Sequence, residues 1–206
     1  MSIHAFISGY RNNMIDTKTP YKTGRDALTS KQAQDLLSSF DSISEKALIH
    51  LVIATGLRRI DIVNIKKNDF NSENGKLRYY EHKKRRTREI TIPSKEAIQS
   101  IKMHLTSCRK SEWLFPSPLG GKHYKDAHIS DRQAYDIFNE HLDKIKIHRR
   151  PFHSLRATCI KMCEAAGWKT EETAELVGDT VRVIQEHYQT PSEEQMRELA
   201  RCKPIL

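Results

Sequence analysis

His153-Ser154-Leu155-Arg156, then Leu176-Val177-Gly178-Asp179-Thr180, then His187-Tyr188 form the stretch on which the reading of this chain turns. Residues 154–166, 170–177 and 181–188 read as helices, so the histidine and arginine open one helix and the tyrosine closes another. Upstream, Ala54-Thr55-Gly56-Leu57-Arg58-Arg59-Ile60-Asp61 follows a strongly apolar helix over residues 46–55, with Gly56 placed to stop it. Two arginines, a histidine and a late tyrosine in one short domain suit nucleophilic attack by a phenol on a phosphodiester.

Around these motifs the pattern is mostly helical. Thr29-Ser30 offers an N-cap before a helix over residues 32–40, and Ile60, Val63 and Ile65 continue a short helix to residue 68. Residues 71–75 read as a turn. Residues 77–81 and 89–93 are rich in β-formers and read as two strands. Between the strands lies His82-Lys83-Lys84-Arg85-Arg86-Thr87-Arg88, a basic hairpin tip. Helices are expected over 94–105 and 130–144, with a terminal one over 193–201. Trp113-Leu114-Phe115 is a short apolar stop before a loop over 116–122. Residues 1–25 are polar and read as an N-terminal arm or linker. The fold class is mixed α/β, mainly α-helical, with one small antiparallel sheet.

The chain has 206 residues, enough for one sizeable core, and 35 Lys+Arg against 26 Asp+Glu give a formal charge of +9. That balance suggests a polyanionic partner, nucleic acid first. No stretch approaches the roughly 20 apolar residues of a membrane span, and the N-terminus lacks a signal-peptide apolar region. The four cysteines, Cys108, Cys159, Cys163 and Cys202, contain no CxxC pair. Cys159 and Cys163, at helical i,i+4 spacing, read as buried small apolar residues in a reduced, intracellular setting. The ten histidines are scattered, with no metal-ligand spacing, so no metal is expected.

Attack on a DNA phosphodiester develops negative charge on the non-bridging oxygens, which two guanidiniums can clamp with paired N–H donors. The attacking phenol, ordinarily with a pKa near ~10, must lose its proton. The departing 5′ oxygen needs a proton donor, a role for Lys or His. Cationic side chains can supply the charge without a metal.

The order and spacing of these residues resemble the catalytic domain of the tyrosine recombinases, the phage-type integrases, over residues 27–189. The resemblance implies the tyrosine recombinase catalytic-domain fold over residues 26–206, without a full core-binding domain. It implies that Arg58 and Arg156 hold the phosphate and that His153 assists as acid/base. Tyr188 would attack to leave a 3′-phosphotyrosyl bond and a free 5′ hydroxyl. The family's hairpin lysine, a general acid, aligns best with Lys84, with Lys83 as the alternative. Arg59, Arg85, Arg86, Arg88, Arg149 and Arg150 surround these positions as DNA-binding candidates. The implied partners are double-stranded DNA and, as a homo-tetramer on two DNA sites, copies of the chain itself; no cofactor is implied. Two other readings share these residues: a non-catalytic DNA-binding protein on the same fold, and a type IB topoisomerase-like relaxing enzyme.

One position departs from the family pattern. After Gly178, where the family usually has His or Trp, this chain has Asp179. Like charges at ~4 Å repel by about 4 kcal/mol at an effective dielectric of 20. Pairing with an arginine, orienting His153, or protonation would each relieve the conflict. The retention of the other site residues favours a recruited role.

Overall fold

Several helices start where a Ser or Thr side chain satisfies one of the first free N–H groups. The computed structural model describes residues 26–118, 126–189 and 200–202. Helix α1 (Ser30–Ser38) begins at Thr29, which forms a reciprocal capping box with Gln32. Helix α2 (Ile43–Thr55) is capped by Ser42 and buries seven side chains from Ala47 to Thr55, which makes it the central helix of the core. It ends at Gly56, whose φ of 63° is left-handed, and a Cβ there would meet Val177 at 2.8 Å. The turn turns the chain sharply into α3 (Arg59–Val63), with Arg58 as its N-cap residue.

The helix expected to continue to residue 68 stops at Val63 instead. Its backbone is diverted into another partnership: Ile65 accepts from Leu114 N, and Lys67 N donates to Glu112. Lys66 and Trp113 form the corresponding antiparallel bridge. A 3-10 turn, Lys67–Asp69, then leads into the sheet.

The sheet has three antiparallel strands in the order β1 (Phe70–Asn71), β2 (Lys76–Glu81) and β3 (Arg86–Thr91). Strand β1 was not expected, because two residues carry no period. Strand β3 begins at Arg86, opposite Glu81, three residues before the expected start. The tip is therefore only His82-Lys83-Lys84-Arg85, with Arg85 in the left-handed region at φ 51°. Strand alternation then turns Leu77, Tyr79, Glu81, Arg88 and Ile90 inward.

Helices α4 (Lys95–Ser107), α5 (Asp131–Lys144), α6 (Ser154–Ala165), α7 (Thr170–Val177) and α8 (Val181–His187) complete the described fold. Helix α2 packs on α4 and α6, and α6 leads through α7 to α8. Cys159 and Cys163 are free and buried on α6. Cys159 Sγ would lie 3.4 Å from a Cβ at position 56, so it fills the space beneath the Gly56 turn. The arm over 1–25 lies outside the described residues, as do residues 193–199 of the expected terminal helix. Among the described residues, no helix is long and apolar enough to cross a membrane.

Candidate active site

Four helix ends and one hairpin meet at the site. The Gly56 turn delivers Arg58, the first turn of α6 delivers His153 and Arg156, and the left-handed Gly178 that ends α7 delivers Asp179. Helix α8 ends at Tyr188.

Arg156 is 1% exposed. Its Nη1 donates to the carbonyls of Gly56 at 2.7 Å and Val177 at 2.6 Å, the ends of α2 and α7. Those carbonyls are among the acceptors a helix end leaves unpaired. Nη2 donates to Asp179 Oδ2 at 2.6 Å. The buried Nε has no hydrogen-bond partner. Arg58 is held by two carboxylates: Nη1 donates to Glu81 Oε1 at 3.0 Å and Nη2 to Asp179 Oδ1 at 3.4 Å. Asp179 thus bridges both guanidiniums. Of the three ways to relieve the conflict at this position, the structure contains pairing with arginine; the described hydrogen bonds of His153 go to Tyr188.

His153 Nε2 lies 2.6 Å from the Tyr188 hydroxyl. Withdrawal of the ring from water, followed by the charges of Arg156 and Arg58, lowers the His153 pKa to about 4, so the imidazole is neutral at pH 7. Tyr188 is 4% exposed. Burial raises the pKa of its phenol, and Arg156 acts in the opposite direction. A cleft of about 300 Å³ opens beside the pair, lined by Arg58, Arg59, Tyr135, Phe152 and His153 among others.

Lys84 Nζ donates to the Gly178 carbonyl at 2.9 Å and lies 3.9 Å from Glu81 Oε1, so the hairpin lysine reaches the site. Lys83 is exposed, and its charge is felt by His153. Arg85 is exposed at the tip. Arg86 Nε pairs with Glu81 Oε2 at 3.0 Å. Arg59 lies 3.8 Å from Asp131, its guanidinium carbon 6.0 Å from the centre of the Tyr135 ring.

The expectation of an exposed basic tip fails at Arg88. The earlier start of β3 includes Arg88 in the strand and puts its side chain on the buried face, where it donates to the Tyr79 hydroxyl at 2.9 Å and to both the carbonyl and the carboxylate of Glu175. Arg88 therefore braces β3 against α7, and a side chain at Gly178 would collide with its guanidinium. Arg150 is likewise occupied, donating to the carbonyls of Asp26 and Ala27. Arg149 pairs with Asp143 at 2.8 Å on the surface.

Two contributors were missed. Glu81, fully enclosed, gathers Arg58, Arg86 and Lys84. Its signal was present as a charged residue at the inward position of an alternating strand. His82 reads in sequence as part of a charge run, but its backbone N and Nδ1 both lie 3.0 Å from Oδ1 of the buried Asp61, which ties the hairpin to α3. Among the described residues, no cluster of His, Cys, Asp or Glu is arranged to hold a metal ion.

The family model for the phage integrase family matches residues 26–194. The chain belongs to the phage integrase family. No curated protein matches its sequence. Among solved structures, this integrase-family chain is similar to the XerA recombinase, with a TM-score of 0.72 at 16% identity, covering 87% of this chain and 64% of that one. The Tn1549 transposon integrase in complex with circular intermediate DNA gives 0.64 at 16% identity, covering 84% and 63%. The lambda integrase tetramer bound to a Holliday junction gives 0.60 at 16% identity, covering 75% and 46%. At this identity the likeness establishes a mainly helical recombinase catalytic-domain fold. The integrase-family chain spans less than two thirds of the length of each of these relatives.

Proposed function

We propose that residues 26–206 form the DNA breaking and rejoining unit of a tyrosine-type site-specific recombinase. The observation that carries this reading is the 2.6 Å contact between His153 Nε2 and the Tyr188 hydroxyl, beside two arginines that share one carboxylate. With its proton on Nδ1, His153 presents the Nε2 lone pair to the phenol. As the Tyr188 oxygen bonds to phosphorus, His153 takes the phenolic proton and the P–O5′ bond breaks. Lys84, released from the Gly178 carbonyl, protonates the departing 5′ oxygen; exposed Lys83 is the alternative donor. Arg58 and Arg156 stabilise the charge on the non-bridging oxygens. The covalent 3′-phosphotyrosyl bond keeps the energy needed for rejoining, so no nucleotide cofactor enters.

An incoming phosphodiester adds negative charge next to His153 and opposes the effect of the arginines, making the imidazole a better base when DNA is bound. Asp179 keeps its short bond to Arg156 and yields its longer contact with Arg58 to the phosphate. The exposed tip residues and Arg59 and Arg149 are proposed to follow the DNA backbone. Relatives crystallised as a tetramer on a Holliday junction and as pre- and post-cleavage complexes with DNA support a tetramer on two duplex sites, acting inside the cell.

A duplex nicked beside the scissile phosphate tests the proposal. The short leaving strand diffuses away, so a cleaving enzyme becomes trapped on DNA as a denaturant-stable adduct. The neutralising Asp179 carboxylate favours a second reading, a DNA-binding protein that does not cleave; binding without adduct formation on any duplex would establish it. Relaxation of supercoiled DNA without strand exchange would indicate a topoisomerase-like activity instead.

A further inference from the structure

Arg58 touches two carboxylates that differ in access. Asp179 retains 11% side-chain exposure, whereas the Glu81 side chain has none. A phosphate entering from solvent can replace the first and cannot reach the second. Glu81 arrives by strand geometry: Leu77 and Tyr79 fill the preceding inward positions of β2 with core side chains, and the next inward position holds a carboxylate. A buried carboxylate is tolerated only when it is paired. Here Oε1 meets Arg58 at 3.0 Å and Oε2 meets Arg86 at 3.0 Å, with Lys84 3.9 Å away. The carboxylate therefore pairs with the phosphate-facing arginine and with the first residue of β3, and lies close to the tip lysine.

We infer that Glu81 is a positioning residue for cleavage: it holds Arg58 from behind, so that Nη2 stays aimed at the phosphate while the hairpin lysine is kept in register with it. This rests on the proposed recombinase reading. Despite its burial, the arginine and lysine charges hold the Glu81 carboxyl below its ordinary pKa, so it is ionised at neutral pH and serves as a fixed counter-charge. Without it, the described bonds of Arg58 reduce to the 3.4 Å contact with Asp179, the contact that substrate replaces.

The test is a double-mutant cycle in single-turnover cleavage of a nicked duplex that traps the wild-type chain, with enzyme saturating. Glu81→Gln, which keeps shape and removes charge, should slow cleavage ~10- to 100-fold, the range for removing a group that orients a functional one. DNA affinity should stay close to wild type. In an Arg58→Ala background the same change should have little further effect. An undiminished effect in that background, or wild-type cleavage by Glu81→Gln, would overturn the inference. If Glu81→Gln loses its circular-dichroism signature, Glu81→Asp, which keeps the charge and retracts it by one methylene, is judged by the same criteria. A cleavage-independent readout separates this inference from the recombinase reading. The Arg58 Nη protons, assigned by their loss in Arg58→Lys, should be individually resolved by NMR in the wild type and averaged in the Glu81 variant. Unchanged Arg58 signals would sink the positioning role even if DNA is trapped. Pinned signals in a wild-type protein that traps no duplex would overturn the recombinase reading and leave the contact standing.

Discussion

The Tyr188 hydroxyl and His153 Nε2 are 2.6 Å apart, within one chain and between the end of α8 and the start of α6. This contact puts the proposed nucleophile and its proposed base within proton-transfer distance of each other. Tyr188→Phe should abolish adduct formation while leaving DNA affinity nearly unchanged; the lost hydrogen bond to His153 should cost about 1 kcal/mol of folding stability. The check is a denaturing gel after incubation with nicked duplex; an adduct in this variant would exclude Tyr188 as the nucleophile.

Arg58→Ala and Arg156→Ala should each slow cleavage at least ~100-fold, the scale of losing one oxyanion donor. Lysine at either position should restore only part of the rate, because the paired fork is lost. Single-turnover rates at equal site occupancy measure this, and a near-normal rate in either alanine variant would refute the clamp.

Asp179→Asn and Asp179→His should both cleave more slowly, by about 10-fold, because the 2.6 Å bond orienting Arg156 is lost. Faster cleavage in both would show that the carboxylate acts as a penalty at the phosphate rather than as a support.

Acid should weaken the fold through His153. Its folded-state pKa, about 4, lies below the unfolded value of 6.5, so the unfolded chain binds the proton first. This contribution to stability is complete above the unfolded pKa and is lost as pH falls toward about 4. Urea midpoints measured over that window should fall more steeply for wild type than for His153→Gln. Parallel curves would place the histidine in an ordinary solvent environment.

Duplex binding should weaken steeply with salt, with a slope of about −0.9 per phosphate neutralised. The formal charge of +9 and the exposed tip residues Lys83 and Arg85 motivate this. A binding constant that stays flat from low to physiological salt would assign the basic surface another purpose.

The helices were legible because their ends are chemically marked. Thr29, Ser94 and Ser130 cap where hydroxyls can reach free N–H groups, and Gly56 and Gly178 occupy left-handed turns. The motif residues Arg58, His153, Arg156 and Tyr188 also come together in space. In the hairpin a run of charges hides strand alternation: Arg88 resembles its exposed neighbours until pairing with β2 turns it inward. Glu81 escaped notice for the same reason. Ile60, Val63 and Ile65 have apolar spacing that reads as helix, and only a partner segment more than forty residues later diverts the backbone from Ile65 to Lys67, a contact with no local signature.

Arg156 divides its donors between two tasks. One nitrogen joins the carbonyl ends of α2 and α7, while another faces Asp179. Arg58 makes no such backbone joints among its described bonds. In a mutant library scored for cellular abundance alone, with no DNA substrate, position 156 should therefore tolerate few residues and position 58 many more. The chemistry would leave its mark on protein yield at one arginine, and only on activity at the other.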